Sequence, residues 1–102
     1  MDRRFEEVEE LGRAIHACVQ QAELERADDL VEQRQNCLRR LFADPELDRG
    51  ESRLADWVQA MLRQDRALLD DLAKLRERMQ VERGDLRKLT RSALAYADTE
   101  RG

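Results

Sequence analysis

The C-terminal half of the chain carries an apolar residue at every third or fourth position: Val58, Met61, Leu68, Leu72, Leu75, Met79, Leu86, Leu89, Ala93 and Tyr96, interrupted by Asp65 and Glu82. Positions three and four apart share one face of an α-helix, whereas a half-buried strand needs a period of two. The spacing predicts a long amphipathic helix, or two helices in register. Such a helix offers more apolar face than the two shorter helical segments before it can cover, and uncovered apolar face calls for a partner.

The remaining composition narrows the class. The chain has 102 residues, enough for one domain with a modest core but not for a deep enclosed active site. Val, Ile and Thr are sparse while Leu, Ala, Arg, Glu, Asp and Gln dominate, which predicts an all-α fold. Nineteen basic residues against 23 acidic ones leave no broad positive surface, so direct nucleic-acid binding is not expected. The N-terminal segment from Phe5 to Val19 is broken by Glu6, Glu7, Glu9 and Glu10 and is not a hydrophobic signal core. No run of about 18 apolar residues exists to span a membrane. Cys18 and Cys37 stand singly, with one His in the chain, so no tetrahedral zinc site is expected and both read as buried free thiols in a reducing cytosol. No cofactor is expected.

Along the chain, the pattern predicts an antiparallel bundle of three to four helices with one long third helix. Helix 1, about 3–21, places Phe5, Val8, Gly12, Ile15, Val19 and Ala22 on one seam, where Gly12 marks a close crossing. A turn or kink is placed around 22–27. Helix 2, about 25–43, carries Leu30, Val31, Cys37, Leu38, Leu41 and Phe42 inward and ends at Asp44-Pro45-Glu46. Pro45 can also open the next helix, and Asp48-Arg49-Gly50-Glu51 reads as a capping box, so two starts for helix 3 are compatible with the sequence. With the later start, helix 3 covers about 49–83 and adds Leu54, Ala55, Leu62 and Leu69 to the stripe; past Leu72 the face narrows to Leu75 and Met79. At about 1.5 Å per residue it reaches roughly 50 Å against roughly 30 Å for either earlier helix, so its end overhangs the hairpin. Gly84-Asp85 can end it and cap a helix 4 at about 85–97; one uninterrupted helix over 49–97 is the alternative. Residues 83–102 hold five basic and three acidic side chains, and residues 1–82 hold 14 and 20, so opposite net charge favours helix 4 lying back on the body.

No constellation points to catalysis. Asp28-Asp29 and Asp70-Asp71 project about 100° apart on a helix and do not converge on a substrate. His16 has no second histidine nearby in sequence. Helical enzymes of similar size, such as chorismate mutases, need inward basic residues on several helices, whereas here they alternate with acids on polar faces. Asp65 is distinctive: it interrupts the apolar seam and is expected either to pair with Arg34 of helix 2 and fix register or to face water.

The order of pieces carries a resemblance: an N-terminal hairpin, the run Leu30-Val31-Glu32-Gln33-Arg34-Gln35-Asn36-Cys37-Leu38-Arg39-Arg40-Leu41, a Pro-containing turn, Met61-Leu62-Arg63-Gln64-Asp65-Arg66-Ala67-Leu68-Leu69 and the ending Ala93-Leu94-Ala95-Tyr96. Together they resemble the FliT family of flagellar export chaperones over nearly the whole chain. The resemblance implies a cytoplasmic bacterial chaperone that holds the C-terminal part of the filament-cap protein before type III export. It also implies contacts with the export ATPase machinery and the flagellar transcriptional activator. By the same implication Leu62, Leu69, Leu72, Leu75 and Met79 line a partner-binding groove, which helix-in-groove recognition suits. Leu86, Leu89 and Tyr96 then belong to a covering, autoinhibitory helix. The competing reading is a dimerising helical adaptor whose overhang pairs with its own copy.

Overall fold

A computed structural model describes residues 3–101, with side chains described through Tyr96. Among the described residues there are three helices: α1 (Arg3–Gln20), α2 (Leu24–Ala43) and α3 (Ser52–Arg101). The chain runs up, down and up again, as shown by three pairs. Arg4 Nη1 donates to Asp44 Oδ2 at 2.8 Å, the Phe5 and Trp57 rings meet edge to face at 4.8 Å, and Arg76 of α3 pairs with Asp28 of α2.

The turn after α1 is three residues long and contains no glycine. Glu23 N–H donates to the Cys18 carbonyl at 2.9 Å and Ala22 N–H to the Val19 carbonyl at 3.1 Å, the two reversed bonds of a Schellman ending. That ending needs a left-handed residue, and Ala22 supplies it at φ 57°. α2 therefore starts at Leu24, and the break is complete.

The start of α3 differs from both expected positions. Asp48 Oδ1 accepts from Gly50 N–H at 3.1 Å, closing a turn instead of capping a helix. The helical ladder begins at the Glu51 carbonyl, which accepts from Leu54 N–H at 3.1 Å. Asp44 plays the same turn-forming part beside Pro45, taking the Glu46 N–H at 2.9 Å. Leu47 folds from this connection onto the Phe5 cluster.

A separate helix 4 does not form: α3 runs through Gly84-Asp85 for 50 residues, so the uninterrupted alternative is the one observed. A helical glycine costs about 1 kcal/mol, less than the several backbone hydrogen bonds that a break would surrender at roughly 1 kcal/mol each. At about 1.5 Å per residue such a helix spans roughly 75 Å, and the molecule measures 77 × 19 × 18 Å.

The core divides into two clusters. Near the chain start, Phe5, Leu41 and Leu54 are buried, with Phe42, Leu47, Trp57 and Val58 packed against them. At the hairpin tip, Ile15, Cys18, Val19 and Ala27 close on Leu68, Leu72 and Leu75. Between the two lies Arg34, 3% exposed, in the place that Ala27 and Leu41 fill one heptad to either side. It pairs with Asp65, the first of the two arrangements open to that carboxylate in the sequence, while its Nε and Nη2 have no hydrogen-bond partner among the described residues. A half-satisfied ion pair contributes little net stability, yet it disfavours any slip of α2 along α3 that would bury the arginine without its carboxylate. Gly12 marks the α1–α3 approach, where an added Cβ would sit 3.7 Å from the Gln64 amide.

A candidate partner-binding surface

The five residues assigned to a groove do not share one. Leu72 and Leu75 are 4% and 2% exposed, filling the tip cluster between Ile15, Val19 and Ala27, so they are core. Met79 is partly buried against the same cluster. Leu62 and Leu69 are about half exposed, on another flank of α3. The overhang was expected to start past Leu72. It starts near Arg83 instead, because Ala22 of the turn and Leu24 at the start of α2 extend the hairpin until they lie alongside Met79 and Arg83.

Beyond that point α3 projects as an arm. Leu86, Leu89 and Tyr96, assigned to a covering helix, cover nothing here: they are 63%, 67% and 68% exposed. With Ala93 they resume the 3-4 spacing of Leu68, Leu72, Leu75 and Met79 beyond Glu82, which interrupts the line between Met79 and Leu86, so the stripe that builds the core returns as an apolar face outside it. Thr90, beside the stripe, turns its hydroxyl inward to donate to the Leu86 carbonyl at 2.9 Å, which removes a polar group from the face. Arg83, Arg87 and Arg91 recur every fourth residue and form a row along one edge, with Lys88 behind them. Among the described residues none of these four cations makes an ion pair.

A second concavity follows the α1–α3 seam on the side away from α2. Val8, Trp57, Ala60 and Met61 line its lower part, and Gly12, His16, Ala67 and Asp71 its middle. Sequence reasoning had passed over it, although Ala60 and Ala67, one heptad apart opposite Gly12, are the small residues that leave the space. Trp57 Nε1 donates to Glu9 Oε1 at 3.0 Å across the lower end. At the upper end the Asp70 carboxylate, 3.0 Å from Lys74 Nζ, holds that ammonium above its ordinary pKa through a hydrogen bond and charge attraction.

These surfaces suit recognition. His16 is exposed on the seam, and among the described residues no three His, Cys, Asp or Glu side chains gather as a metal site. Cys18 is buried and Cys37 half-buried, both as free thiols. Among the described residues no helix is long and apolar enough to cross a membrane. A family model described as "Flagellar protein FliT" matches residues 2–98, essentially the whole chain. No curated protein and no solved structure matches it.

Proposed function

This chain belongs to the FliT family, a family of flagellar export chaperones, and from that premise we propose that it holds an amphipathic helix of the filament-cap protein's C-terminal region on the projecting arm of α3. The observation that carries the reading is the exposed stripe of Leu86, Leu89, Ala93 and Tyr96, which takes up the core's apolar line again beyond Glu82. A helix is the natural occupant of such a stripe, since its own i, i+3, i+4 and i+7 anchors match the spacing. The work is done in the cytoplasm, before the client enters the type III export route. The export ATPase machinery and the flagellar transcriptional activator are further partners that the family reading supplies. Leu62 and Leu69 lie on a different flank and stand outside the principal client site.

The test is Leu86→Asp combined with Leu89→Asp. Client-peptide affinity measured by calorimetry falls at least tenfold, about 1.4 kcal/mol, as expected for two central apolar anchors. The hairpin's urea midpoint stays in place, because neither leucine belongs to the core. Unchanged affinity in the folded variant removes the arm from the client site. A stable dimer in sedimentation that the same variant dissociates would favour the dimerising adaptor.

A further inference from the structure

The flank of the arm carries information that its apolar stripe does not. Resting on the reading of the arm as the client site, we propose that its occupant is an acidic amphipathic helix, with apolar residues on the stripe and a row of Asp or Glu facing Arg83, Arg87 and Arg91. Successive members of that row are separated by about 6 Å along the axis, the rise of four helical residues. Carboxylates at every third or fourth position of a second helix match that interval.

Three observations support acidic over neutral or basic chemistry. The row and Lys88 make no ion pair among the described residues, so their charge is available to a ligand. Across the stripe the opposite edge offers Asp85 and Ser92, and Glu82 interrupts the stripe at the base of the arm, so the arginine row lies on one flank alone and fixes which side of the client faces it. The charge is also segregated along the molecule: residues 83–96 hold four basic residues against one acidic, whereas residues 1–82 hold 14 basic against 20 acidic. An acidic helix is therefore steered toward the arm and away from the body. Repulsion of wrong partners contributes to selectivity as much as attraction does.

The experiment uses the full chain and three designed helical peptides with one shared apolar stripe and a flanking row of Glu, Gln or Lys, residues of similar helix propensity. Fluorescence anisotropy at low and physiological salt reads the affinities, with phosphatidylcholine vesicles containing phosphatidylglycerol as a parallel probe. The Glu peptide is expected to bind at least tenfold more tightly than the Gln peptide, with the Lys peptide weakest and the preference shrinking as salt rises. The joint variant R83Q, R87Q and R91Q should erase the preference while circular dichroism stays unchanged, and R83E, R87E and R91E should reverse it. Equal binding of all three peptides overturns the charge inference and leaves the arm as client site. Failure of every peptide to bind overturns both. Binding to the anionic vesicles that depends on the arginines, without preference among the peptides, assigns the row to a lipid surface instead.

Discussion

Leu75 and Leu89 lie on one face of one helix, two heptads apart, and differ in whether the hairpin reaches them. Replacing each by alanine measures where the core ends. Leu75 is 2% exposed within the tip cluster, and truncating a leucine so enclosed costs about 3 kcal/mol, the sum of lost transfer energy and the cavity left behind. Leu89 is 67% exposed, so its truncation removes little buried area and substitutes a better helix former; the change stays within about 0.5 kcal/mol. With an unfolding entropy of about 2 cal/mol/K per residue, 3 kcal/mol lowers the melting temperature of a chain of 102 residues by about 15 °C. The assay is ellipticity at 222 nm against urea and temperature for both variants. A loss above about 1 kcal/mol for Leu89→Ala would mean that the arm packs on the body as a covering helix does. A harmless Leu75→Ala would empty the tip cluster of its meaning.

Three further outcomes follow from the packing. Ala22→Gly stabilises by about 0.5–1 kcal/mol because it relieves the left-handed penalty at φ 57°, while Ala17→Gly, in the exposed interior of α1, destabilises by about 1 kcal/mol; paired urea titrations read the opposite signs. Asp65→Ala strands the buried Arg34 and costs about 3 kcal/mol, at the low end for a broken buried pair since Asp65 partly faces water, and adding Arg34→Leu recovers most of it in the same denaturation assay. Gly12→Ala raises the melting temperature through a helix gain of about 1 kcal/mol, because the new methyl meets Gln64 at an ordinary contact distance; a lower melting temperature would show that the α1–α3 approach is tighter than 3.7 Å implies.

Periodicity was enough to read the all-α class, the presence of one long third helix and most of the seam of α1, since each depends on residues near one another in sequence. Asp65 also stood out as a charge interrupting the apolar seam, with pairing to Arg34 and exposure to water both open, and the burial of Arg34 beside it decides for the pair. The identity of the exposed leucines was not legible. Leu75 and Leu89 occupy equivalent positions in the repeat, and what separates them is the reach of the hairpin, set by how a left-handed alanine lets Leu24 wrap beside Met79. Gly84-Asp85 carries the local signals of a helix end, but such signals act only where the chain gains something by turning. The turn at Ala22 was legible in its place but not as a full break, because its signature lies in backbone hydrogen bonds and not in a glycine.

The uninterrupted passage of α3 through Gly84 sets a threshold for any rearrangement of the arm. The packed part of α3 already supplies the first helical turn, so each arm residue is added by propagation alone, with nucleation complete before the arm begins. Folding the last segment back would sever it from that template and require a second nucleation, a factor of roughly a thousand, or about 4 kcal/mol. A partner or a hairpin surface must exceed that figure in buried area before the helix bends. Below it, the arm behaves as an extension of the bundle's own axis, and whatever it carries is held at a fixed distance and bearing from the acidic body.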